Sequence, residues 1–208
     1  MSFLKKVENI WYYYKWPIII ISVIIIALYM LISTFSQGSE PSDVEIVSVY
    51  SAYVSEKEID FQKKFEKSIS DADKNGGVVI DLVTSYITAD GKSDDDAIEI
   101  AKFEGTMSTA RSDLILMDEY NFRRFETKDY YEDLRKFLDI SKFNDEDVLY
   151  RNDIPVAVRL RESKILKEAE YETDNIYAGI MFVPDDADET LLARRQNAVE
   201  ILKKLAEK

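Results

Sequence analysis

Apolar and polar positions divide the chain into one long apolar run and a patterned remainder. Residues 17–35 read PIIIISVIIIALYMLISTF, nineteen residues without a charge. At about 1.5 Å per residue such a helix is roughly 28 Å long, close to the ~30 Å hydrocarbon layer of a bilayer. The run therefore predicts a transmembrane helix. Trp11, Tyr12, Tyr13, Tyr14 and Trp16 precede it, with Lys15 among them, and aromatic rings beside a cation suit the headgroup level. Lys5, Lys6 and Lys15 lie before the run, whereas residues 36–45 carry no Lys or Arg. That asymmetry places the N-terminus in the cytoplasm and the rest outside. A cleaved signal peptide has a shorter apolar region and a small-residue cleavage site, so a signal anchor is expected. The organisation is then 1–16 as cytoplasmic N-terminus and aromatic belt, 17–35 as span, 36–43 as a polar linker, and 44–208 as an extracytoplasmic domain.

Within 44–54, apolar side chains occupy both phases of a two-residue period, Ile46 and Tyr50 on one, Val47 and Val49 on the other. A strand covered on both faces has this pattern. Ser55 with Glu58 forms a capping box. Phe61, Phe65, Ile69 and Ala72 then recur at helical spacing up to Gly76-Gly77. Residues 78–87 predict a second strand. Ser93, Asp94, Asp95 and Asp96 open a helix with acids at its positive end, and its small residues Ala97, Ala101 and Gly105 form a face suited to close packing on a sheet. Residues 113–118, DLILMD, predict a short buried strand. Residues 129–138 read as a helix, 155–160 and 175–183 as strands, and 188–207 as a closing helix with Leu191, Ala198, Leu202 and Leu205 as its stripe. Strands alternating with helices imply parallel pairing through right-handed crossovers. The expected fold class is α/β: one N-terminal transmembrane helix followed by a three-layer α/β domain with a mostly parallel, about five-stranded sheet.

Charge and composition narrow the chemistry. The 208 residues include 40 acidic and 27 basic side chains, for a net charge of −13. Residues 1–35 carry three lysines against one glutamate, which leaves −15 for the remainder. Nucleic acid is not an expected partner of so acidic a chain. Histidine and cysteine are absent, which excludes disulfides, thiolate nucleophiles, Cys/His zinc sites and imidazole bases. No glycine-rich phosphate loop occurs. An enzyme is not expected, nor a cofactor or a metal site. The segment Asp71-x-Asp73-x-Asn75-Gly76 matches the first half of a calcium loop, but the position of the closing bidentate glutamate holds Leu82, with Asp81 one residue early. A polar helix-to-strand turn uses the same residue types. Arg159 and Arg161 share one strand face, where surface carboxylates are their expected partners.

The segments VEIVSVYSAY, FQKKFEKSI, VVIDLVTSYI and DLILMDEYNFRRF, with residues 131–134 after them, resemble the first lobe of extracellular solute-binding proteins of the type 2 periplasmic-binding fold. WYYYKWPIII is similar to the anchor of Firmicutes-type surface proteins that carry such a domain. The resemblance covers residues 44–140 and, more loosely, 155–206. It implies a membrane-anchored, non-enzymatic binding protein whose partner is a small solute or peptide. The chain holds one lobe's worth of residues, so the second lobe is vestigial, or another chain completes the cleft, or ligand binding is lost and the domain is an interaction or scaffold module of a cell-envelope assembly. Ligands of open α/β sheets sit beyond the carboxyl ends of the strands. Here those ends offer Ser51, Tyr53 and Ser55 after the first strand, and Asp118 and Tyr120 after the third; Tyr53, Ser55, Asp118 and Tyr120 are the candidate ligand-binding residues. Ser55 and Asp118 also suit helix caps.

Overall fold

A computed structural model describes residues 15–17, 19–23, 25–26, 42–52, 63–108, 112–171 and 173–207. The chain divides into two units, Met1–Pro41 and Ser42–Lys208. In the first, the described residues are helical and mostly exposed. Among the described residues no helix is long and apolar enough to cross a membrane, which corrects the expected spanning helix over 17–35. Residues 18, 24 and 27–35 of that stretch lie outside the described residues.

The second unit is built on a six-stranded sheet in the order β2-β1-β3-β6-β5-β4. Its strands are β1 (Val44–Tyr50), β2 (Ile80–Tyr86), β3 (Leu114–Asp118), β4 (Val148–Arg151), β5 (Ile154–Arg159) and β6 (Ile176–Ile180). β1 pairs in parallel with β2 and β3, while β3–β6, β6–β5 and β5–β4 are antiparallel. The sheet is therefore mixed rather than mostly parallel. The early strand–helix alternation does produce parallel pairs. After β3 the connections carry only short helices: α3 (Lys164–Glu168), between β5 and β6, has five residues, whereas a parallel return usually runs through a full helix. β4 escaped the sequence reading. Its turn to β5 is Asn152-Asp153, both at positive φ (48° and 63°), the conformation that a two-residue hairpin demands and that Asn and Asp tolerate.

Strand alternation sorts side chains to two cores. Val44, Ile46, Leu114, Leu116, Ile176 and Ala178 join α4 (Glu189–Leu205) on one face. Val47, Val49, Ile115, Met117 and Tyr177 join α1 (Asp94–Ser108) and α2 (Glu119–Phe125) on the other. In α1 the packing face is Asp96, Phe103 and Met107. Ala97, Ala101 and Gly105 are exposed, so the expected small-residue face turns outward, because two large apolar side chains bury more area than small ones. Asp96 is buried because its carboxylate accepts from Thr88 N (2.7 Å), Thr88 Oγ1 (2.7 Å) and Ser93 N (2.9 Å), while Ser93 Oγ accepts from Asp96 N (3.0 Å). This capping arrangement holds the carboxyl well below the usual carboxylate range.

Two helix expectations are corrected where the residues are described. Of the helix expected from Ser55 to Ala72, residues 55–62 lie outside the described residues, Lys63 is helical, and residues 64–77 are turns and bends. Ser70 N donates to Asn197 Oδ1 (3.0 Å) and Ala72 N to Asp43 Oδ1, so tertiary side chains take the amides a helix would use. Residues 129–138 contain only the 3₁₀ turn Leu134–Lys136, because Tyr131 bridges to Met181 at the end of the sheet.

Gly179 in β6 permits the β5–β6 approach: a Cβ there would lie 2.7 Å from the Val156 carbonyl oxygen. Backbone cannot yield as a side chain does. Gly179→Ala is expected to cost about 1–3 kcal/mol, read as a lowered midpoint in denaturant unfolding at unchanged m-value.

Candidate functional site

The order β2-β1-β3 makes the carboxyl ends of β1 and β3 a topological switch point, the place where open α/β sheets hold ligands. In this chain the crevice is closed from within. Asp118 ends β3 and caps α2. One of its carboxylate oxygens accepts from Asn121 N (3.0 Å) and Asn121 Nδ2 (3.2 Å), and the other from Ser51 N just past β1. Asn121 Nδ2 also donates to the Ile87 carbonyl beyond β2 (3.1 Å). Arg124 extends the closure, donating to Asn121 Oδ1 and to the carbonyls of Thr88 (3.0 Å) and Ala89 (3.1 Å). Asp118 and Asn121 thereby tie together the ends of all three parallel strands.

The four sequence candidates thus have different fates. Asp118 is buried and structural. Tyr120, two residues on, is 57 % exposed. Tyr53 and Ser55 lie outside the described residues. Tyr120 borders a cavity of about 320 Å³ together with Glu119, Arg123 and Asn175. Arg123 donates from Nε to Glu119 Oε1 (2.9 Å), with a second ion-pair contact of 2.8 Å. The Glu119 carboxylate holds the guanidinium above its ordinary pKa. Asn175 arrives from the 3₁₀ turn before β6, and its Oδ1 accepts from Glu119 N (3.4 Å). The cavity thus presents a carboxylate, a guanidinium, a carboxamide and a phenol ring. The Glu119/Arg123 spacing of four residues was visible in EYNFRRF; the contribution of Asn175 depends on β6 lying antiparallel beside β3.

Behind this cavity Arg159 stacks on Tyr177, with its guanidinium carbon 4.8 Å from the ring centroid and Nε 2.7 Å from the hydroxyl. Burial raises the Tyr177 phenol against the opposing pull of Arg159. Arg159 also lies 3.4 Å from Glu119 and 3.8 Å from Asp147, which Arg161 approaches at 3.4 Å. Both arginines have carboxylate partners, although β5 ends at Arg159 and Arg161 lies in the turn beyond it rather than on the strand face.

Two acidic clusters lie elsewhere. Oxygens of Asp43, Asp71 and Asp73 gather within 4.8 Å of one another. Asp43 is fully buried, and its oxygens accept from the backbone N–H groups of Ala72 and Val79. Asp71 accepts from Asn75 N (3.1 Å) and Gly76 N (2.8 Å), which lowers its pKa. Leu82 sits in β2, so the closing glutamate of a calcium loop has no counterpart there. The second cluster is at the amino end of β3. Asp113 Oδ2 accepts from Glu45 N (2.8 Å) and from Arg194 Nη2 (2.7 Å) and Nε (3.1 Å), while Oδ1 is buried without a hydrogen-bond partner. Desolvation outweighs Arg194 and pushes the Asp113 carboxyl up to about 6, with buried Glu45 adding to the rise.

No protein-family model and no curated protein matches this chain.

Two outcomes follow from the carboxylates flanking β3. Asp118→Ala strips a helix cap and leaves the Ser51 amide without its acceptor, and is expected to lower stability by about 2 kcal/mol in chemical denaturation. Asp113 adds a dependence on pH. Its folded pKa exceeds the unfolded 3.8, so the native state binds the extra proton between those values and stability contributed by this group falls as pH rises through about 6. Relative to Asp113→Asn, the unaltered chain is expected to gain about 2 kcal/mol on going from pH 7 to pH 4, measured as the difference between their unfolding free energies at each pH.

Proposed function

We propose that residues 42–208 form a non-catalytic binding domain, located at a cell membrane, that takes a small solute or peptide beyond the carboxyl end of β3. The observation that carries this reading is the cavity lined by Glu119, Tyr120, Arg123 and Asn175 at the switch-point edge. Its volume of about 320 Å³ falls at the lower end of ligand-site sizes. Its lining offers donors, acceptors, both signs of charge and one apolar ring face, which suits a polar organic molecule rather than a lipid or a bare ion. The uncharged run 17–35 and the lysines before it support a location at the membrane. The absence of His and Cys and the mutual pairing of Glu119 and Arg123 support binding over catalysis.

A second reading, an interaction module of a cell-envelope assembly, is favoured by one feature. A wider groove of about 480 Å³ runs between the end of α4 and residues 137–143, with Phe137, Leu138 and Phe143 in its lining. Aromatic side chains in such a groove suit a protein surface.

Thermal unfolding of the full chain in detergent, against sugars, amino acids, short peptides and cations, separates the two. A solute at about 100 times its dissociation constant should add roughly 2.7 kcal/mol. That shift is expected to vanish in Tyr120→Ala and Arg123→Ala, whose own stability changes by at most about 1 kcal/mol because both side chains are exposed. A panel without any shift, or a shift indifferent to both substitutions, overturns the solute reading at this cavity.

A further inference from the structure

We infer that Asn75-Gly76 is a self-modifying site, at which the folded loop promotes loss of the Asn75 side-chain amide through a succinimide. The bond-forming partners are adjacent in sequence: the Gly76 amide nitrogen and the Asn75 carboxamide carbon. Gly76 is at φ 97° with nothing within 4 Å of where a Cβ would stand, and Asn75, Gly76 and Gly77 are all exposed. Glycine thus leaves the nitrogen sterically open and reachable by water.

Three hydrogen bonds prepare the step. Gly76 N–H donates to Asp71 Oδ2 at 2.8 Å, which polarises the nucleophile toward loss of its proton. Gly77 N–H donates to Asn75 Oδ1 at 3.0 Å. This is the oxygen on which negative charge develops when the carbonyl is attacked, so the donor acts as a small oxyanion hole. Asn75 Nδ2 donates to Asp73 Oδ2 at 2.9 Å. That contact fixes which way the carboxamide faces, since the flipped amide would set its oxygen against a carboxylate. Asp71 is held ionised at neutral pH by the backbone donors around it, so the acceptor for Gly76 N–H is present throughout the physiological range.

The chemistry needs only water. The Gly76 nitrogen bonds to Asn75 Cγ and gives up its proton; the Cγ–Nδ2 bond breaks, and Nδ2 leaves as ammonia after gaining one. Water then opens the cyclic imide at either carbonyl, giving aspartate or isoaspartate. Either product adds a negative charge beside Asp71 and Asp73, within a loop that already gathers three carboxylates.

Peptide mapping by mass spectrometry tests this on the full chain in detergent at pH 7.4, folded and, in parallel, unfolded in guanidinium. Asn75 is expected to convert roughly tenfold faster in the folded chain, and Asp71→Asn is expected to remove most of that excess in a chain shown to be folded by circular dichroism. Conversion that is equal or slower in the folded chain overturns the proposal, as does a folded rate indifferent to D71N. Should D71N not fold, the folded-to-unfolded ratio of the unaltered chain decides alone.

Discussion

Everything in the second unit hangs on β1. All seven of its residues are buried, and it is hydrogen-bonded to β2 on one edge and β3 on the other. A strand so enclosed needs partners at its ends as well as along its length, since a buried amide without an acceptor costs about 1–3 kcal/mol. Those partners come from the two aspartates that flank LILM in β3. Asp113 takes the Glu45 amide near the start of β1, and Asp118 takes the Ser51 amide just past its end. β3 is therefore both a neighbour and a clamp. The parallel pairing of Ile46 with Leu114 and Val49 with Met117 is the register at which both carboxylates reach their targets.

The same clamp explains why two chemically identical side chains behave differently. Asp118 stands at a helix start and collects Ser51 N, Asn121 N and Asn121 Nδ2. Asp113 leaves one oxygen without a partner and lies near a second buried carboxylate, Glu45. The environment of Asp113 favours the proton. The clamp also shifts where function can lie. Because Asp118 is committed to the ends of the strands, polar groups for a ligand must come from the next turn outward. α2 supplies them by turning Glu119, Tyr120 and Arg123 away from the sheet while Phe122 and Phe125 turn into it.

Much of this was legible in the sequence, and the failures share a cause. Double-phase apolarity marked β1 as central, the aspartates framing LILM marked β3, and Asp188 with the stripe behind it marked α4. Asn152-Asp153 carries the local signal of the β4–β5 hairpin, two residues that tolerate positive φ. What could not be read was the destination of polar side chains across the fold. Asn197 lies among the apolar positions of α4 and bonds to Ser70 N, Ser70 Oγ, the Ser70 carbonyl and the Asp43 carbonyl. Those long-range bonds take the amides that a helix over residues 64–72 would use. The cavity had half its signal in Glu119 and Arg123, whereas Asn175 joins it only through antiparallel β6, which the expectation of a mostly parallel sheet misplaced.

The loop 70–79 shows how such anchoring divides rigid from reactive backbone. Its two ends are fastened to the core, Ser70 by Asn197 and Val79 by Asp43, whose own position is fixed by β1. Between them the chain must reverse within a few residues. Lys74 takes a left-handed conformation at φ 60°, and Gly76 follows at 97°. A fastened loop this short cannot spread its donors to the core, so its amides turn to the nearest side-chain oxygens, those of Asp71, Asp73 and Asn75. The acidic residues that resemble half a calcium loop are thereby accounted for by backbone geometry. The same geometry sets the exposed carboxamide of Asn75 beside the one residue type whose amide nitrogen has no side chain to shield it.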